Sequence, residues 1–137
     1  MKIIVGLGNP GKEYENTRHN AGFTFIDFLV RKFSLDLKFD KKFNVEYVKT
    51  EIIQNGVAED ICLIKPMAFM NNSGITLRAF LDYFYAEVLE ETESNHLIVA
   101  HDDLDLDLGQ FKLQKGKGPK VHNGLNSIYK HLGHKNF

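Results

Sequence analysis

The chain has 137 residues, 43% of them hydrophobic and 26% charged, with a net charge of −1; one domain with a real core is the expectation. No stretch is apolar for long enough to span a bilayer, and the N-terminal apolar run reaches Gly6, Gly8 and Pro10 too soon for a signal peptide. The lone Cys62 excludes an internal disulfide, and a cytoplasmic protein is expected.

Ile3 to Gly6 reads as a short central strand that runs into Gly6-Leu7-Gly8-Asn9-Pro10-Gly11. A polar loop then carries Thr17-Arg18-His19-Asn20, with Asn20 placed as the N-cap of a helix from about Ala21 to Phe33. In that helix Phe25, Phe28, Leu29 and Phe33 recur at helical spacing and are assigned to the core. Phe43 to Thr50 alternates apolar and polar residues, the period of a half-exposed strand. Asn55-Gly56 is a hairpin signal, and Asp60 to Lys65 returns as a buried strand holding Cys62 and ended by Pro66. The loop from Met67 to Gly74 opens a second helix, about Ile75 to Tyr85. Acidic, turn-like residues around Glu87–Asn95 precede a buried strand, Leu97 to Ala100, followed by His101-Asp102-Asp103. Gly109 to Gln114 reads as a further strand and Asn123 to Leu132 as the last helix. The fold class expected is α/β: one domain over residues 1–137, a mixed, mostly parallel sheet covered by helices on both faces.

The tail breaks the charge balance. After Asp107 there is no acid, while Lys112, Lys115, Lys117, Lys120, Lys130 and Lys135 follow, so the tail is +6 and the preceding residues −7. The basic, glycine-containing stretch from Lys115 to Lys120 suits a phosphate-bearing partner as well as it suits a solvated loop.

Gly6-x-Gly8-x-x-Gly11 after a strand matches the dinucleotide fingerprint. A dinucleotide loop opens its helix at once, and the acid about twenty residues on ends a second strand. Here a long polar loop intervenes, Asp27 lies inside the helix and Asp36 just past it. Asp103, Asp105 and Asp107 fail as a calcium loop, since Leu108 stands where glycine is needed and Gln114 where a bidentate glutamate is needed. His131 and His134 fit a helix C-terminus better than a metal site. No metal and no cofactor is called for.

What remains is a set of polar residues at the mouths of elements: Asn9 and His19 beside the first strand, Asn71 before the second helix, Asp102 after a buried strand and Asn123 at the head of the last helix. These types suit hydrolysis by activated water. Neutral imidazole is the right base near neutral pH, a carboxylate fixes its tautomer, and amides donate to a developing oxyanion. Singly, each residue has a structural reading: Asn9 as a turn former, Asn20 and Asn123 as helix caps, Asp102 as a strand-end cap.

In order and spacing these segments resemble the bacterial-type peptidyl-tRNA hydrolase family. The blocks are Val5-Gly6-Leu7-Gly8-Asn9-Pro10-Gly11, Tyr14, Thr17-Arg18-His19-Asn20-Ala21-Gly22, Lys65-Pro66 with Phe69-Met70-Asn71-x-Ser73-Gly74, Asp102-Asp103-Leu104-Asp105, and His122-Asn123-Gly124-Leu125. The resemblance implies a cytoplasmic, metal-independent, usually monomeric esterase that frees peptide from the 3′ ribose of peptidyl-tRNA. It implies His19 as general base, Asp102 as its partner, and Asn9 as the residue that helps tell N-blocked substrates from aminoacyl-tRNA. Tyr14, Phe69, Asn71 and Asn123 are implied to contact the tRNA 3′ end or the peptide, with Asn123 near the oxyanion and Met70 lining the same cleft. Lys115, Lys117 and Lys120 would meet acceptor-stem phosphates. Lys120-Val121 stands where the family has Gly-Gly, which would reshape the cleft, and Ala68 replaces a common threonine. The family continues past the position of Phe137 with a strand and C-terminal helical segment; lacking them, this chain is expected to expose an apolar sheet edge, with low stability or self-association. Two other functions fit less of the sequence: a catalytically impaired tRNA acceptor-binding module and a dinucleotide-binding oxidoreductase.

Overall fold

The sheet grows outward from β1 (Lys2–Gly6), flanked by β4 (Val57–Pro66) and β5 (Leu97–Ala100) in a computed structural model that describes residues 1–90 and 96–137. Strand order is β2-β3-β4-β1-β5, with β2 (Lys38–Asp40) and β3 (Val45–Gln54) completing it. β1 pairs parallel with β4 and β5, whereas β2–β3 and β3–β4 are antiparallel. The sheet is therefore mixed as expected, with an antiparallel half set by one hairpin. Asn55 and Gly56 have φ of 50° and 76° and join Gln54 to its partner Val57. Two consecutive positive φ values make the primed turn whose twist matches that of the strands. β2 escaped the sequence reading because three residues are too few to show a period.

Alternation along β1 assigns the two faces. Ile3 and Val5 are fully buried in a cluster with Leu77, Phe80, Leu81, Leu125 and Ile128, from α2 (Ser73–Phe84) and α4 (Asn123–Leu132). Gly6 faces the other way, against Gly22 and Ile26 of α1 (Ala21–Lys32). Cys62 is buried in β4, and burial pushes its thiol up to about 11, so it is inert at neutral pH.

Several expectations are corrected. Phe25, Phe28 and Phe33 are 41%, 49% and 38% exposed and lie outside the core. Helix α1 docks instead through Gly22, Phe23 and Ile26, because a Cβ on Gly22 would stand 2.3 Å from both the Leu7 nitrogen and the Ala100 oxygen. No other residue permits that approach, and it fixes the helix's rotation. Residues 109–114 form no strand; Phe111 and Leu113 are 91% and 84% exposed, and the alternating stretch has no ladder to join. Glu87–Glu90 belong to a short helix, α3 (Ala86–Glu90), while the rest of that expected turn, residues 91–95, lies outside the described residues. Asn20 makes no side-chain cap on α1, and α4 is capped by His122, not Asn123. Among the described residues no helix is long and apolar enough to cross a membrane.

Candidate active site

Parallel pairing brings the carboxyl ends of β1 and β5 side by side, the place where open α/β sheets present their ligand sites. His19 sits on a 3-10 turn, Arg18–Asn20, between the β1 loop and α1; Asp102 follows β5 by two residues; His122 directly precedes α4. All three meet. Asp102 Oδ1 lies 2.8 Å from His19 Nδ1 and 2.9 Å from His122 Nε2.

Hydrogen-bond partners fix the protons. Burial pushes the Asp102 carboxyl up, but the hydrogen bond from His122 and the attraction of both imidazoles outweigh it, so the group is held below its usual value. An ionised carboxylate only accepts, so both imidazoles donate to it. His122 Nδ1 accepts from the Leu125 N–H at 3.2 Å, which leaves its single proton on Nε2. Burial holds the His122 value down, more than the hydrogen bond and charge of Asp102 raise it; the ring is neutral at neutral pH. His19 donates its Nδ1–H to Asp102, so in the neutral ring the lone pair is on Nε2, on a side chain that is 40% exposed. His101 donates Nδ1–H to its neighbour's carbonyl, Asp102 O, at 2.7 Å and packs against His122 with centroids 5.1 Å apart.

His19, Asp102 and His122 are also the set of possible metal ligands among the described residues, their ligand atoms lying within 4.8 Å of one another. The donor set does not fit a cation. Both nitrogens that face Asp102 present N–H groups rather than lone pairs, and a metal would have to displace two hydrogen bonds and a helix cap.

The β1 loop is held as firmly. Asn20 Oδ1 accepts the Asn9 N–H at 2.8 Å and Asn20 Nδ2 donates to Asn9 O at 2.9 Å. Asn9 Oδ1 then accepts the Met70 N–H at 2.7 Å, which orients its amide and leaves Nδ2 as a donor without a protein partner among the described residues. Met70, expected along the cleft, keeps its side chain in the core at 4% exposed, and gives the loop only its backbone N–H. The Tyr14 and Phe69 rings meet edge to face, with centroids 6.3 Å apart and Phe69 54% exposed. Asn71 is exposed on the 3-10 turn that leads into α2, and Asn123 is exposed as the first residue of α4. Lys115, Lys117 and Lys120 are exposed on the irregular strap between Asp102 and His122. Val121 points outward at 80% exposed.

Two of the fingerprint's glycines serve packing, and the third, Gly11, holds a φ of 112°. A Cβ on Gly6 would meet the Gly22 oxygen at 2.2 Å, one on Gly8 would meet the Phe23 ring at 2.6 Å, and α1 starts ten residues after Gly11. Only a three-residue 3-10 turn, Lys12–Tyr14, directly follows the loop, too short to present the helix N-terminus that a pyrophosphate needs.

Residues 3–137 match the family model described as Peptidyl-tRNA hydrolase. A peptidyl-tRNA hydrolase of Shouchella clausii is 44% identical over 138 residues, covering 100% of this chain and 68% of that protein. One from Synechococcus elongatus is 42% identical over 135 residues, covering 98% of this chain and 61% of that protein. The crystal structure of peptidyl-tRNA hydrolase from Acinetobacter baumannii superposes with a TM-score of 0.85 at 39% identity, over 100% of this chain and 64% of that one. The chain thus spans about two thirds of the length of these relatives.

Proposed function

The chain belongs to the peptidyl-tRNA hydrolase family, and from that premise we propose that it hydrolyses the ester between peptide and tRNA by attack of a water activated at His19. The observation that carries this reading is the one-sided imidazole: Nδ1–H is committed to Asp102 at 2.8 Å, which leaves the lone pair of the neutral ring on Nε2 of a partly exposed side chain. The base takes a proton as the water oxygen bonds to the ester carbonyl carbon. Asp102 stabilises the imidazolium that forms. Collapse of the tetrahedral species breaks the bond to the ribose 3′ oxygen, which leaves with the proton held on Nε2.

Asn9 suits the discrimination of N-blocked substrates. Its free amide N–H groups are donors, which welcome the carbonyl of a peptide bond and repel the ammonium of an aminoacyl-tRNA. Asn123 and Asn71 supply further amides for the oxyanion and the peptide, the Tyr14–Phe69 pair offers an aromatic surface to the terminal base, and Lys115, Lys117 and Lys120 face the acceptor-stem phosphates. The protein would work in the cytoplasm as a single-domain monomer without metal or cofactor.

Release of N-acetyl amino acid from N-acetyl-aminoacyl-tRNA tests the proposal. The unmodified chain should turn the substrate over, and His19→Ala should lose at least a hundredfold in kcat. Binding without turnover by the unmodified chain would leave it a tRNA-binding module and refute the hydrolase reading.

A further inference from the structure

Arg18 stands beside His19 on the same 3-10 turn, and its guanidinium Nη2 donates to the Leu106 carbonyl, 88 residues away in sequence. That carbonyl is placed by a turn built from Asp103. The Asp103 carboxylate accepts the Asp105 N–H at 2.9 Å, and the Asp103 carbonyl accepts the Leu106 N–H at 3.2 Å. Two neighbouring residues of one turn thus hold one loop at two points: His19 at Asp102 and Arg18 at Leu106. The turn is itself tied down from behind, with Thr17 Oγ1 donating to Tyr14 O at 2.6 Å and the Asn20 N–H to Thr17 O at 3.1 Å.

Residues 103–121 contain no helix or strand, and Leu104 and Leu108 are 78% and 99% exposed. Asp102 itself is also held by His122 at 2.9 Å, so what the second point adds is a fixed placement of the His19 turn against that carboxylate. We propose that Arg18 is a positioning residue, a latch from the His19 turn to the Asp102 loop that holds the imidazole and carboxylate in register. The inference rests on the hydrolase reading above for its kinetic test, but not for its spectroscopic one. It also accounts for the sequence: an arginine directly before the histidine and an Asp-x-Asp turn directly after Asp102 are the two halves of one contact. Arginine suits the task because its planar fork keeps its orientation on a carbonyl, whereas a lysine can supply only a point charge.

The test compares the unmodified chain with Arg18→Ala and Arg18→Lys. For N-acetyl-aminoacyl-tRNA, R18A should lower kcat roughly ten- to a hundredfold, in line with a misplacement of about 1 Å, with KM within about twofold, and R18K should recover part of the loss. Without substrate, the Nδ1–H proton resonance of His19 should broaden or exchange away in R18A while the Nε2–H resonance of His122 persists. An R18A enzyme with unchanged kcat and an intact His19 resonance would overturn the latch. So would a loss confined to KM that vanishes at high salt, since Arg18 would then be a phosphate contact. If the unmodified chain released no product, the hydrolase reading would fail, and the His19 resonance alone would decide on Arg18.

Discussion

Asp102 receives both imidazoles at one oxygen, and the two rings do different things with that bond. His19 uses it to commit Nδ1 and free Nε2; His122 makes it with its one proton, its other nitrogen accepting the Leu125 N–H, and stays neutral because burial outweighs the pull of the carboxylate. The consequence is a pH dependence of stability with a definite sign. His122 titrates below its unfolded value in the folded chain, so the stability it contributes is complete above about pH 6.5 and is lost as pH falls through the depressed folded value. Asp102, also depressed, adds loss of the same sign in stronger acid. Thermal melts should therefore fall in Tm between pH 7.5 and pH 5, and His122→Gln should flatten that slope while lowering Tm overall. An unchanged slope in the variant would remove His122 from the account. At this scale the sequence singled out His19, Asp102 and Asn9 as candidates because polar residues at the ends of apolar strands stand out, and the structure brings the first two to 2.8 Å. It misassigned Asn20, whose side chain looks like a cap but exchanges two hydrogen bonds with Asn9, eleven residues back. The part played by His122 depends on a proton position set by two distant partners, which no spacing records.

Helix placement depends on close backbone approach. Gly74 at the start of α2 lies so near α4 that a Cβ there would stand 2.1 Å from the Ser127 oxygen and 2.3 Å from its carbon. The contact is clasped by Ser127 Oγ, which accepts the Gly74 N–H at 2.9 Å. Since α4 carries Asn123 and is capped by His122, this contact also sets the site. Gly74→Ala should push the helices apart, cost about 3 kcal/mol and lower Tm by roughly 10 °C. A variant that melts within 2 °C or so of the parent would show that the helices can yield. Element boundaries were largely legible: the hairpin from Asn55-Gly56, and α4 from Asn123 to Leu132 as observed. The facing of α1 was not. Its apolar residues, Phe23, Phe25, Ile26, Phe28, Leu29 and Val30, run nearly around the helix, so periodicity leaves the rotation open and Gly22 decides it.

Across the whole molecule the charges divide along the chain. Residues 108–137 carry +6, with four of their lysines on the strap that leads to His122, opposite in sign to the −7 carried by residues 1–107. β5 ends the sheet with no partner on its outer side among the described residues. The strand expected over 109–114 failed for a related reason: its alternation is real, but alternation makes a strand only where a ladder is available. The proposed hydrolysis rests on one lone pair, that of His19 Nε2. The most direct measurement is kcat for N-acetyl-aminoacyl-tRNA at pH 7.5 in the unmodified chain, in His19→Ala, and in His19→Ala supplied with free imidazole. With His19 as the base, the variant should lose at least a hundredfold and imidazole should restore part of that loss. A His19→Ala variant that turns the substrate over at the parent rate would contradict the mechanism.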